Sequence, residues 1–211
     1  MKITKYEHAC IVVEDNNRTI VVDPSSLAFL PILKNVDAIV ITHIHTDHLD
    51  KTHIQKIIDA NPKVTIISHT EVLDLLVDIS CQKEIIDRGS HCTTGNFSLD
   101  FYGLYHAITY KKSACHNVGV MINGIFYYPG DSFTVPDKPV VTLAVPASGP
   151  WMKTGEAMDF IGLLKPQKVF PTHNGLLSDF GAEVTYDWLK QAADTAGAEW
   201  LVLQTGESIN V

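Results

Sequence analysis

No long apolar run, no basic cluster and no paired cysteine motif occurs in these 211 residues, and each absence removes a class of function. No stretch approaches the roughly 20 consecutive apolar residues that a membrane-spanning helix needs. The opening residues, Met1-Lys2-Ile3-Thr4-Lys5-Tyr6-Glu7-His8, lack the apolar segment of a secretory signal, so a cytoplasmic protein is expected. Cys10, Cys81, Cys92 and Cys115 form no Cys-x-x-Cys pair, and they read as reduced, small hydrophobic residues rather than a disulfide framework. The densest basic pair is Lys111-Lys112 and the formal net charge is −8, which argues against a surface that tracks nucleic-acid phosphates. A Gly-x-Ser-x-Gly elbow is missing as well, which disfavours a covalent serine route. Without repeats, linkers or low-complexity segments, this length suits one domain over residues 1–211, and nothing in it signals an oligomeric state.

What the chain does contain is Thr42-His43-Ile44-His45-Thr46-Asp47-His48, directly after the strand-like run Ala38-Ile39-Val40-Ile41. Three imidazoles and a carboxylate crowded at the end of a buried strand are poor core material. They are good metal ligands, because neutral imidazole nitrogens and carboxylate oxygens suit zinc, manganese or iron. In an extended backbone His43 and His45 point the same way, while Asp47 and His48 can turn to a second centre. One ion could not easily use all four, so the run suggests two.

The surrounding pattern is strand-rich. Residues 9–13 and 19–22 form a hairpin around Glu14–Arg18, ending at Asp23-Pro24. Residues 50–60 carry helical spacing through Ile54, Ile57 and Ile58, and Asn61-Pro62 stops them. A strand at Val64–Ile67 leads to a helix capped by Thr70. Strands follow at 84–86, 97–105, 118–122 and 125–128, the last two joined by the hairpin signal Asn123-Gly124. A strand at 140–145, a helix at 154–164, a strand at 168–170, a helix at 184–193 and strands near 200–203 and 208–211 complete the chain. Helices at both ends of a strand-rich middle fit two sheets packed face to face with helices outside, an α+β sandwich.

Further ligands are expected where rigid strands end abruptly, since such positions hold side chains more firmly than mobile loops. His106 closes Phe101–Tyr105, Asp131 follows Tyr127-Tyr128-Pro129-Gly130, and His173 follows Val169-Phe170-Pro171-Thr172. With these in place the chain resembles the metallo-β-lactamase superfamily, whose five motifs match in order. Asp23 matches the first; His43, His45, Asp47 and His48 the second; His106 the third; Asp131 in Gly130-Asp131-Ser132 the fourth; His173 the fifth. The resemblance spans nearly the whole chain. His8-Ala9, Pro150-Trp151-Met152-Lys153 and Glu156-Ala157 are similar to its small ascorbate-6-phosphate lactonase-like branch.

That resemblance implies a four-layer αββα sandwich with a dinuclear site. His43, His45 and His106 would hold one ion, Asp47, His48 and His173 the other, and Asp131 would bridge them. The ions implied are divalent zinc or manganese, with iron as an alternative. The reaction implied is attack of a hydroxide held by both ions on a small-molecule ester, lactone or phosphoester, with Asp47 and Asp131 as the catalytic carboxylates. Asp23, and with less reason His8, would orient ligands through hydrogen bonds. The best-known zinc β-lactamases carry cysteine at the fourth motif, which argues against that activity. Other readings on the same fold are a phosphodiesterase or nuclease-type hydrolase, a di-iron redox protein and a non-catalytic metal-binding module. Flavodiiron relatives carry glutamate where His45 stands here.

Outside these motifs, His53 reads as a solvated helix residue, and His69, His91 and His116 have no partner motif. Trp151 and Phe160 read as core or pocket wall. Lys153 is the nearest candidate for gripping an anionic substrate.

Overall fold

The computed structural model describes residues 1–112 and 114–211. The first half of the chain builds β1 (Lys2–Lys5), β2 (Ile11–Asp15), β3 (Arg18–Val22), β4 (Val36–Val40), α1 (Lys51–Ala60), β5 (Thr65–Ser68), α2 (Thr70–Leu75) and β6 (Gln82–Ile85). The second half builds β7 (His91–Thr94), β8 (Phe97–Tyr102), β9 (Gly119–Ile122), β10 (Phe126–Tyr128), β11 (Thr142–Pro146), α3 (Thr154–Leu164), β12 (Lys168–Thr172), α4 (Asp179–Ala196), β13 (Glu199–Trp200) and β14 (Ser208–Asn210). One sheet runs β14-β1-β2-β3-β4-β5-β6 and the other β13-β12-β11-β10-β9-β8-β7.

Alternation along the strands decides what each face covers. Ile11, Val13, Ile20 and Val22 of the first sheet meet Phe97, Leu99, Phe101, Val120 and Phe170 of the second in a shared central core. Their neighbours Val12, Val21 and Ile39 face outward and are covered by Ile54, Ile57 and Ile58 of α1 and Val72 of α2. On the far side, Met121, Leu143 and Val169 pack under Ala157, Phe160 and Ile161 of α3 and Leu189 and Ala193 of α4. The result is the expected αββα layering, in which strands buried on both faces read as continuous apolar runs.

Local chemistry fixes the connections. Asn16 and Asn17 (φ 48° and 62°) and Asn123 and Gly124 (φ 54° and 64°) take the left-handed conformations of tight hairpin turns. Asp50 caps α1 by accepting from His53 N–H at 2.9 Å. Three expectations need correction. Thr70 does not cap α2: His69 holds that position and makes no side-chain cap. The last helix begins at Asp179 instead of Val184, because Ser178 accepts from Gly181 N–H and starts it earlier. His53 is half-buried, its Nδ1 bonding Ser25 O at 2.7 Å, so it ties α1 to the loop after β3 instead of facing only water. None of the described helices is long and apolar enough to cross a membrane.

Lys5, on β1, is only 2% exposed, and its Nζ donates to Tyr6 O at 3.1 Å without any carboxylate partner among the described residues. Burial lowers its pKa to about 8, against the opposing pull of Glu7. Between pH 8 and the ordinary lysine value of 10.5 the native chain therefore binds fewer protons than the unfolded chain. The burial cost is full below pH 8 and fades as pH rises through that window. Lys5→Met should stabilise the protein at pH 7 by about 3 kcal/mol or less. It should also flatten the rise in stability towards pH 10.5. Urea unfolding of both proteins at the two pH values checks this; parallel pH dependence would contradict it.

Candidate metal centre

Parallel pairing brings the candidate residues together. β3, β4 and β5 run parallel in one sheet, and β10, β11 and β12 in the other. Their carboxyl ends open at one edge of the sandwich, the usual place for ligands in such sheets. Asp23 leaves β3, residues 42–48 leave β4, Asp131 leaves β10 and His173 leaves β12. His43, His45, Asp47 and His48 thus come from the first sheet, and His106, Asp131 and His173 from the second. His8, Asp23 and His173 all adopt left-handed backbone (φ 59°, 48° and 55°), a conformation that His and Asp tolerate better than most and that clusters at functional sites. Gly130 (φ 62°) has no substitute: an added Cβ would stand 2.3 Å from Asn117 Oδ1 and 2.9 Å from Thr42 Cβ. That contact matters because Asn117 Oδ1 accepts the Asp131 N–H at 3.0 Å and sets the carboxylate in place.

The side chains fall into two groups of potential ligands: His43, His45, His106 and Asp131, and His8, Asp47, His48 and His173. Asp131 is the hub, with Oδ1 3.1 Å from His48 Nε2 and Oδ2 3.2 Å from His106 Nε2 and 3.1 Å from His173 Nε2. His43 Nε2 stands 3.9 Å from Asp131 Oδ2 and 3.1 Å from His45 Nδ1. Asp47 Oδ2 lies 3.4 Å from His173 Nε2 and 3.1 Å from His8 Nε2.

The far nitrogens decide which lone pairs are free. His48 Nδ1–H donates to Asp23 Oδ2 at 2.7 Å, His106 Nδ1–H to Ala107 O at 2.6 Å, and His173 Nδ1–H to Ser148 O. Thr42 Oγ1, itself donating to Asp23, sits 3.0 Å from His43 Nδ1 and can accept from it. This is how metal-binding histidines are held: one nitrogen donates to oxygen and fixes the tautomer, leaving the other as a lone pair. The Nε2 atoms of His48, His106 and His173 and Asp131 Oδ1 are buried without a hydrogen-bond partner. Buried polar atoms without partners are costly, and divalent cations would satisfy all four. The residues fit a metal centre.

Charge is distributed accordingly. Burial, reinforced by the positive charge of His48, holds His43 well below the usual imidazole range. For His48 burial works the same way but is outweighed by the carboxylates of Asp131 and Asp23, and its pKa rises well above the usual value. His173 is raised to about 9, burial losing to the nearby carboxylates of Asp131 and Asp47. Asp131 and Asp47 both stay ionised far below the usual range: burial opposes this, but the surrounding imidazoles prevail. Protons and divalent cations compete for the same nitrogens.

Asp23 lies behind the cluster, fully buried. Its carboxylate accepts from Thr42 N–H (2.8 Å), Thr42 Oγ1 (2.7 Å), His48 Nδ1 and the Tyr128 hydroxyl (2.9 Å). His8 lies beside Asp47. Its Nδ1 accepts from Gly175 N–H at 3.0 Å, so its Nε2–H points at Asp47. A cavity of about 490 Å³ opens over Asp47, Asp131 and His173, walled by Trp151, whose ring lies 5.7 Å from His106 and 5.9 Å from His173. Lys112 lines it; Lys153, the basic residue favoured from sequence, is exposed at the start of α3 and does not. Sequence reasoning gave no hint of Tyr128, Asn117 or Ser148, since a buried hydroxyl or amide at a strand end carries no recognisable spacing.

Residues 2–173 match the family described as "Beta-lactamase superfamily domain". A UPF0173 protein of Pyrococcus furiosus is 30% identical over 192 residues, covering 87% of this chain and 88% of its own. A UPF0173 metal-dependent hydrolase of Nanoarchaeum equitans is 24% identical, with all of both chains covered. The fold is shared with Igni18, a metallo hydrolase from Ignicoccus hospitalis, at a TM-score of 0.76 and 22% identity over 99% of this chain and 97% of that one. The chain belongs to the metallo-β-lactamase superfamily and is one of its metal-dependent hydrolases.

Proposed function

We propose that the chain, acting as one domain over residues 1–211, hydrolyses a small-molecule ester, lactone or phosphoester at this cluster. The observation that carries the reading is the convergence of three orphaned imidazole nitrogens on Asp131 at the base of the cavity. In this proposal His43, His45 and His106 would hold one divalent cation and Asp47, His48 and His173 a second, and Asp131 would serve both, with zinc or manganese preferred. Bound there, such ions would ease the ionisation of water near neutral pH and draw charge from a substrate oxygen.

The chain's own groups do the rest. Asp47 is ionised and half-buried, with its Oδ2 held 3.1 Å from His8 Nε2 and 3.4 Å from His173 Nε2, so it can orient the attacking water by accepting a hydrogen bond from it. Trp151 excludes water from one side and offers a flat apolar wall to the substrate. A volume of about 490 Å³ is in the range of small-molecule sites. The net charge of −8 supports the absence of a nucleic-acid partner, and four free cysteines support a reducing, cytoplasmic setting.

Lys112 on the cavity wall favours a second reading, in which the scissile group is an anionic phosphodiester. Two model substrates separate the two. The chain loaded with Zn²⁺ or Mn²⁺ is given a simple lactone and a model phosphodiester, with Asp131→Asn as blank. Preferential lactone turnover supports the first reading, and preferential diester turnover the second. Failure to turn over either, with cations bound, would remove both substrate assignments.

A further inference from the structure

His69, Glu71 and His116 lie outside the site described above, and no step of the proposed hydrolysis uses them. They nevertheless meet: each offers one ligand atom, and these atoms lie within 4.8 Å of one another. His69 follows β5 at the N-cap of α2, Glu71 sits in the first turn of α2, and His116 pairs with Tyr105 across an isolated bridge.

His69 is 4% exposed, and its Nε2–H donates to Thr42 O at 3.2 Å. That bond fixes the tautomer and leaves Nδ1 with a lone pair. This Nδ1 is buried and has no hydrogen-bond partner. The arrangement repeats the one at His48, His106 and His173, where one nitrogen bonds an oxygen and the other is left free. Glu71 Oε2 accepts the His116 backbone N–H at 3.0 Å, which fixes the carboxylate, and its Oε1 lies 3.4 Å from His116 Nδ1. The rings of His69 and His116 stand edge to face with centroids 5.5 Å apart, so their nitrogens can share a centre without stacking. Glu71 and His116 are partly open to solvent, which admits an ion and leaves room for a water as fourth ligand.

We propose that His69 Nδ1, Glu71 and His116 form a separate divalent-cation site with a preference for zinc. Two imidazoles and one carboxylate suit zinc better than the hard ions that favour oxygen alone. Such an ion would fasten the turn after β5 to the segment that carries His106, whose N–H donates to Cys115 O at 2.9 Å. It would act as an accessory clamp beside the hydrolytic centre, linked to it through Thr42.

The test counts ions. The full chain is stripped with chelator, equilibrated with saturating Zn²⁺, freed of excess and measured by plasma mass spectrometry. The same is done for Glu71→Gln, His116→Asn and Asp131→Asn. Glu71→Gln keeps an oxygen for the His116 N–H, and both Glu71 and His116 are partly exposed, so these variants should fold; circular dichroism checks that. The expected result is one ion fewer per chain in Glu71→Gln and in His116→Asn than in the wild type, and a smaller rise in Tm on adding Zn²⁺. Asp131→Asn should keep the ion that Glu71→Gln loses, so the double variant should bind fewer than either. Equal zinc content in the wild type, Glu71→Gln and His116→Asn would overturn the proposal. The outcome does not depend on any substrate being turned over.

Discussion

Asp131→Asn should lower turnover by about a hundredfold to a thousandfold, the loss that follows removal of one preorganised electrostatic group from an active site. The substitution changes almost no volume, and the Asp131 N–H can still donate to Asn117 Oδ1, so the loop has no reason to move. What disappears is the negative charge that His48, His106 and His173 all face at 3.1–3.2 Å. An amide offers one acceptor oxygen and turns an NH₂ towards imidazole nitrogens, so cations bind more weakly as well. Steady-state kinetics and ion content, taken on the same preparation, check both effects. A variant with full activity and full ion content would exclude Asp131 as the shared ligand.

Asp23→Ala should be the most destabilising single change near the site. The carboxylate is fully buried and accepts four hydrogen bonds, from the Thr42 amide and hydroxyl, His48 Nδ1 and the Tyr128 hydroxyl. Removing it strands all four donors and leaves a cavity, at a cost of about 3–5 kcal/mol. In a protein of this size that lowers Tm by roughly 10 °C. With His48 released from its orienting oxygen, metal affinity should fall about 10–100-fold. Thermal unfolding with and without added Zn²⁺ separates the two contributions. A Tm within a degree or two of the wild type would show that water replaces the carboxylate without penalty.

The layers and most elements were legible in the sequence because apolar periodicity reports burial, and β2–β5, β9–β12 and α1 carry it without interruption. β1 and β7 were not. β1 mixes two lysines into four residues, and β7 is an edge strand with one buried side chain, Cys92. α4 was read short because Gly181 and the exposed Phe180 hide its first turn. The candidate ligands were legible because side chains at abrupt strand ends have only a few chemical uses. The residues that support them were not, since Tyr128 and Asn117 act through contacts spanning 105 and 14 positions of chain. His69 and His116, 47 positions apart, have no common motif, and only the packing of the turn after β5 against the 105–116 segment shows them together.

The division of the candidate ligands between the two sheets has a thermodynamic consequence. Neither sheet carries a full set, so cations bind well only when both halves are docked, and binding energy adds directly to cohesion between the layers. The protein's resistance to unfolding is then a function of the free metal concentration around it. A cell short of the preferred ion would lose not only the activity but the lifetime of the polypeptide, as open chains become available to proteases.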